Sequence, residues 1–535
     1  MASDRRSVMV IGLDGASFNF IEPFCREGIM PNLHSFWQNS CSGELVSSYP
    51  PITPAAWVTF MTGKLAGKHH ILDYEQFRFS DYSIRYNSGA DVRPRTLWRI
   101  ISDNGGQVGV VNVPMTYPPE QVNGILIAGH NVPNPSVEYT YPEAFKADLL
   151  RCLPDYLNHA PKAHDVRRTS VFESRVKEYT RTVDDYHRAV RLVDEKVDWD
   201  FLMVVFPHTD MGHKMWPYMN PQSSHLFPER RETVSRIFSK LDGALGDLFN
   251  LAAKRGADVI IMSDHGHGTM KGRVGANKLL QRWGYITMVN PLRWLGKRLY
   301  RECQKIYYRD KYTRPARYVD EKLGIDWSRT KAVVTSATMW GLLYMNVRGR
   351  QPQGIVESGR EYENLREELR ERFLGETDPE TGERLFADVI RAEEVYGASE
   401  TLWESPDLLL VPQGGMKVDK RIRGGWVVRR ATDLTDAPGT HLLKGLWMAC
   451  GPRVKNDMRF EASIQDLAPT ILALMGLPVP QDMDGKVLTT IFEEEPRIRF
   501  DRSEDVETPK KDATVYSAEE EKQIEKHLAD LGYVD

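Results

Sequence analysis

Four short stretches of this chain set carboxylates or imidazoles beside apolar runs. Asp14 closes Ile-Gly-Leu-Asp14-Gly, and His208-Thr209-Asp210-Met-Gly-His213 follows the run Phe201 to Phe206. Ser263-Asp264-His265-Gly266-His267 follows Asp258 to Met262, and Gly439-Thr440-His441 precedes Gly445 to Ala449. Singly, each has an ordinary structural reading, because an aspartate after a strand caps a helix or turns a loop and Asp-His-Gly makes a turn. Together they predict chemistry: several close carboxylates repel one another unless a cation or protons compensate them. Mixed Asp and His donors suit Zn²⁺ best, with Mn²⁺ or Fe as alternatives. Six such side chains fit two ions about 3.5–4 Å apart better than one.

A centre of this kind needs a nucleophile. Tyr49-Pro50-Pro51-Ile52 delivers Thr53 to the start of a helix, with Pro54 at the first helical position. A helix-capping threonine is the structural alternative. Beside two metals the hydroxyl is instead deprotonated by coordination, and the helix N-terminus favours the resulting anion.

The elements that must position these residues are legible as short β-rich runs alternating with longer amphipathic stretches, the pattern of parallel strands joined by crossover helices. Strands are predicted at Val8 to Leu13, Gln107 to Val113, Gly124 to Ala128, Phe201 to Phe206, Asp258 to Met262, Leu408 to Val411 and Gly445 to Ala449. Helices are predicted at Thr53 to Thr62, Thr96 to Asn104, Glu173 to Val197, Pro228 to Arg255, Tyr362 to Leu374 and Ile464 to Met475. The expected fold class is α/β, an open, mostly parallel central sheet with helices on both faces, whose working crevice lies at the carboxyl ends of the strands. One catalytic domain is expected over 1–492, with cap insertions at about 139–198 and 291–328. A polar tail over 493–535 follows, in which Ser517-x-x-Glu520 opens a last amphipathic helix carrying Ile524, Leu528 and Leu531 on one face.

The 535 residues, 41% hydrophobic and 27% charged, make an ordinary globular composition with ample length for a large core. Seventy basic against seventy-four acidic side chains leave a net charge of −4, so no global field argues for a nucleic acid duplex as partner. The five cysteines are odd in number, scattered and free of C-x-x-C spacing, which predicts a reducing, cytoplasmic setting and no thiolate metal site. No apolar run is long enough for a signal segment or a membrane span.

The set Asp14, Pro-x-x-Thr53-Pro, Met-Thr-Gly63, Gly-Lys-His69, Asp-x-x-His213, Ser-Asp264-His265-Gly and Gly-Thr-His441 resembles the alkaline phosphatase superfamily. Within it the likeness is to the type I phosphodiesterase/nucleotide pyrophosphatase branch, especially bacterial predicted phosphohydrolases or phosphomutases. Asn112-Val-Pro-Met-Thr-Tyr-Pro-Pro119, Asp466-Leu-Ala-Pro-Thr470, Gly476-Leu-Pro and Asp484-Gly extend the resemblance over roughly residues 7 to 490. It implies that Asp14, Thr53, Asp264 and His265 hold one metal, with Thr53 as nucleophile, and that Asp210, His213 and His441 hold the other. Asn87, in Arg-Tyr-Asn87-Ser, resembles the asparagine that holds a phosphoryl oxygen, a donor role suited to developing charge; the structural alternative is a turn residue.

The chain departs from that family in one spacing, since Asp210 and His213 stand three apart where four is usual. Holding the register from His213 would put Thr209, a poor ligand, in the metal position. A shortened loop restores Asp210, and His208 is the fallback. The sulfatase pattern, Cys or Ser with Arg four residues later, is not met by Thr53 and Trp57, which argues against sulfate ester hydrolysis through a formylglycine residue.

One motif stands outside this set. Leu292, Leu295, Leu299, Cys303 and Ile306 fall at helical spacing among nine cationic residues from Arg293 to Arg317, opposed only by Glu302 and Asp310. A solvated helix packed by its apolar face is one reading. Contact with an anionic substrate or with lipid head groups at a membrane surface, through 291–317, is the other. The sequence as a whole predicts a metal-dependent phosphoric ester hydrolase of phosphodiesterase/nucleotide pyrophosphatase type, acting on a small phosphate ester or nucleotide-like substrate. A phosphomonoesterase, phosphomutase or phosphotransferase on the same site is the alternative, and a metal-poor binding protein the lesser one.

Overall fold

The computed structural model describes residues 6–129, 131–156, 166–210, 212–289, 317–318, 324–335, 339–397, 404–422, 427–430, 437–502 and 515–531. Its centre is a nine-stranded sheet in the order Ala462–Ser463, Cys41–Val46, Lys444–Cys450, Asp258–Met262, Val8–Leu13, Phe201–Phe206, Val108–Val113, Gly124–Ala128, Thr140–Tyr141. The five strands from Asp258–Met262 to Gly124–Ala128 run parallel, and antiparallel strands flank them. Val8–Leu13, Val108–Val113, Phe201–Phe206 and Asp258–Met262 are buried at every position. Side chains alternate between the two faces of a strand, so both faces are covered.

The long helices Thr169–Lys196 and Pro228–Arg255 pack against each other and against this sheet. Within the 139–198 stretch, Thr140–Tyr141 extends the sheet edge and Thr169–Lys196 lies against Val108–Val113 and Phe201–Phe206. The final helix, Ala518–Leu531, opens on the Ser517/Glu520 reciprocal cap and buries Ile524 and Leu528 in the main core.

One predicted strand lies elsewhere. Leu408–Pro412 belongs to a separate antiparallel sheet with Ala332–Val334, Gly341–Met345 and Phe386–Arg391, which has its own apolar core. A short continuous apolar run reports burial on two faces without saying which sheet buries it. Most of the predicted insertion at 291–328, including the basic run except Arg317, lies outside the described residues. Arg317–Tyr318 adds a short strand to Ser83–Tyr86. No described helix is long and apolar enough to cross a membrane.

Candidate active site

Strand register brings the site together. Leu13 pairs with Phe206 and Gly12 with Met262, so the chain leaves three neighbouring parallel strands at one edge as Asp14, the turn Pro207–Asp210, and Ser263-Asp264-His265. Backbone and hydroxyl bonds fix these exits: Asp14 N donates to Phe206 O at 3.1 Å, Thr209 Oγ1 to Asp14 O at 2.6 Å, and Gly15 N to Asp264 Oδ1 at 2.9 Å. Gly15 has φ +69°, and a Cβ there would stand 2.9 Å from Asp210 Cβ, so glycine lets the two loops approach. Thr209, the poor ligand of the alternative register, is thus spent on holding the Asp14 backbone.

Thr53 is the first residue of the helix Thr53–Thr62, which is buried throughout. The capping position is Ile52, and no side chain caps the helix. Thr53 Oγ1 instead lies 3.3 Å from His265 Nε2.

Two imidazoles stand over the carboxylates. The His265 and His441 rings stack at 3.6 Å and 17°. His265 Nδ1 is 3.1 Å from Gly266 O, and His441 Nδ1 is 3.2 Å from Pro51 O. A carbonyl only accepts, so each Nδ1 carries the proton and each Nε2 keeps its lone pair for the site. His265 Nε2 is 3.3 Å from Asp264 Oδ2 and 3.8 Å from Asp14 Oδ1, and His441 Nε2 is 3.7 Å from Asp210 Oδ2. Two groups of donor atoms, each within 4.8 Å, result: Asp14, Asp264 and His265, and Asp210, His265 and His441.

These donors fit divalent cations. Asp14 Oδ1 and Asp264 Oδ2 are buried without a hydrogen-bond partner, a costly state for carboxylate oxygens that a cation relieves. Burial, then the charges of Asp264 and Asp210, push the Asp14 carboxyl well above the usual range. Burial also raises Asp264, against the pull of His265 and the Gly15 N–H. Asp210 goes the other way: burial raises it, but contacts led by that with the His267 ring hold it well below the usual range. Burial, with His265 alongside, pushes His441 down to about 3, keeping it a neutral donor.

The remaining predicted residues are placed as follows. His208 turns away from the carboxylates: its Nε2 lies 2.9 Å from Thr182 Oγ1, and the rings of Tyr179, Tyr186 and Phe206 surround it. His213 lies in the helix Gly212–Met219, and its side chain is outside the described residues. Asn87 is buried; its Nδ2 donates to Asp73 O at 2.7 Å, which occupies one of its two amide hydrogens.

Two residues beyond those predicted sit at the site. His267 Nδ1 is 2.8 Å from Asp210 Oδ1. The structure pairs Gly-His-Gly-Thr269 with Gly-Thr-His-Leu442, which sets His267 directly opposite His441. Tyr74 is buried, and burial followed by the charges of Asp14 and Asp264 holds its phenol well above the usual range, as a neutral O–H.

Comparison with known proteins places the chain in a family. The family model for type I phosphodiesterase / nucleotide pyrophosphatase matches residues 8–441. No curated protein matches the chain. Among solved structures, human ectonucleotide pyrophosphatase/phosphodiesterase 5 is similar at 13% identity and a TM-score of 0.48, covering 91% of this chain and all of that one (100%). An inactive form of the murine protein in complex with AMP is similar at 12% identity and a TM-score of 0.46, covering 88% of this chain and 95% of that one.

Proposed function

This chain belongs to the type I phosphodiesterase/nucleotide pyrophosphatase family and is a hydrolase of phosphoric ester bonds, and we propose that it cleaves a diester or pyrophosphate bond by double displacement through Thr53. The observation that carries this reading is the Thr53 hydroxyl, 3.3 Å from His265 Nε2 at the head of a buried helix and engaged in no cap. Asp14, Asp264 and His265 would hold one divalent ion with Thr53, and Asp210 and His441, with His213, the other. The Asp and His donor set favours Zn²⁺, with Mn²⁺ as the substitute. Such ions supply Lewis-acid stabilisation to the attacking and leaving oxygens.

The chain's own residues supply the rest. Thr53 gives up its hydroxyl proton to water and its Oγ attacks phosphorus in line, while the leaving alcohol or phosphate departs with its bonding electrons and takes a proton from water; the N-terminal dipole of Thr53–Thr62 favours the anionic oxygen. Water then cleaves the phosphothreonine and regenerates the hydroxyl. The second amide hydrogen of Asn87 is available to a phosphoryl oxygen.

A panel of monoesters, diesters and nucleotide pyrophosphates, assayed with Zn²⁺ and with Mn²⁺, tests the reading. Diesters or pyrophosphates should be preferred. Exclusive turnover of monoesters, or transfer to an acceptor alcohol without hydrolysis, would replace it with the phosphatase or transferase alternative.

A further inference from the structure

Asp210 sits between two imidazoles that the fold places side by side. The strand Gly266–Thr269 pairs antiparallel with Gly439–Leu442, and the register sets His267 against His441, so both rings leave the ribbon on one face. The carboxylate is divided between them: Oδ1 lies 2.8 Å from His267 Nδ1, while Oδ2 lies 3.7 Å from His441 Nε2. Asp210 ends a single 3₁₀ turn, which restrains its backbone weakly, so the direction of its carboxylate depends on its neighbours.

His267 is itself held firmly. It is 2% exposed, its amide donates to Ser17 Oγ at 3.1 Å, and its carbonyl accepts from Asn19 Nδ2 at 2.7 Å. Its ring lies 4.8 Å from that of Trp216, whose indole N–H is fixed on Thr269 Oγ1 at 2.8 Å. Its far edge is closed by Gly439, where a Cβ would stand 1.9 Å from Nε2. Nδ1 and Oδ1 are close but not aligned as a hydrogen bond in this structure, and a carboxylate only accepts, so the contact becomes attractive when Nδ1 carries the proton and the Asp210 carboxylate turns to meet it.

We propose that His267 is a positioning residue for the second metal: its Nδ1–H engages Asp210 Oδ1 and so presents Oδ2 toward the lone pair of His441. The inference rests on the reading of Asp210 as a ligand. Groups that orient a metal-binding side chain typically govern affinity by about 10–100-fold when removed.

Zinc titration of the metal-stripped full-length protein, with bound ions counted, separates the two. The wild type should take up about two ions per chain and Asp210→Ala about one. His267→Ala should bind one ion as tightly as the wild type and the other about 10–100-fold more weakly. His267→Asn, whose amide N–H replaces Nδ1–H, should recover most of the loss, and His267→Gln, whose reach matches Nε2, should not. If Asp210→Ala keeps both ions, the ligand reading and the inference fall together. If it loses one while His267→Ala binds both at wild-type affinity, only the inference falls. Equal weakening in the Asn and Gln variants would assign the effect to ring packing and overturn it. Loss of the ion at saturating zinc in both would make His267 a ligand and overturn it too. The Asn and Gln pair carries the test where His267→Ala fails to fold.

Discussion

Thr53 Oγ1 lies 3.3 Å from His265 Nε2, which makes the helix-opening threonine part of the acidic and imidazole cluster and not the cap of its own helix. That contact is the one a nucleophilic role calls for, and the role can be tested by removing the oxygen alone.

Thr53→Ala should lower kcat on the order of 10⁴-fold or more, with the unfolding temperature little changed, because no cap is lost. Thr53→Ser should retain part of the activity. Steady-state kinetics beside a thermal melt checks this, and a near-normal rate in the Ala variant would remove Thr53 from the mechanism.

Metal removal should affect both turnover and stability. Without a cation, burial and mutual repulsion raise Asp14, and Asp264 is raised with it, so the folded state holds their charged forms at a cost. Chelation should abolish hydrolysis and lower the melting temperature; added Zn²⁺ or Mn²⁺ should restore both. An ion at 100 times its Kd contributes about 2.7 kcal/mol. Full activity in excess chelator, with no metal found by elemental analysis, would contradict the two-ion site.

Asp210 and His208 offer a choice of register, and the geometry separates them. Asp210 Oδ2 faces His441 Nε2 at 3.7 Å, whereas His208 Nε2 meets Thr182 Oγ1 at 2.9 Å. Asp210→Ala should cost most of the activity and His208→Ala little of it beyond any loss of stability. The opposite ranking in a kinetic assay would move the site to the other register.

The element boundaries near the site were legible because buried parallel strands are short, uniformly apolar and end on polar residues. Val8–Leu13, Phe201–Phe206 and Asp258–Met262 match their predicted limits, as does the helix Thr53–Thr62. The strand predicted at Leu408 to Val411 is present as Leu408–Pro412, but in a separate antiparallel sheet, since an apolar run carries no information about its neighbours. Asp14, Asp264, His265, Asp210 and His441 could be grouped from their strand ends. His267 could not be given a role that way, because its position depends on an antiparallel pairing between segments more than a hundred residues apart.

Two buried histidines predict how stability responds to acid. Burial pushes His208 and His69 down to about 3, while an unfolded histidine titrates near about 6.5. Above that value both states are neutral and neither ring matters. Between about 6.5 and about 3 only the unfolded chain takes the proton, so each ring removes about 1.4 kcal/mol of stability per unit fall in pH. Urea unfolding at pH 7.5 and 5.5 should therefore show a shallower pH slope for His208→Gln than for the wild type. Equal slopes would mean that His208 titrates normally in the folded protein.

The central claim, double displacement through a hydroxyl of the chain, is tested most directly by the stereochemical course at phosphorus. With a diester substrate made chiral at phosphorus by sulfur and oxygen isotope, two successive in-line displacements predict net retention of configuration in the product. Net inversion would mean that water attacks phosphorus in a single step, and it would contradict the role given to Thr53.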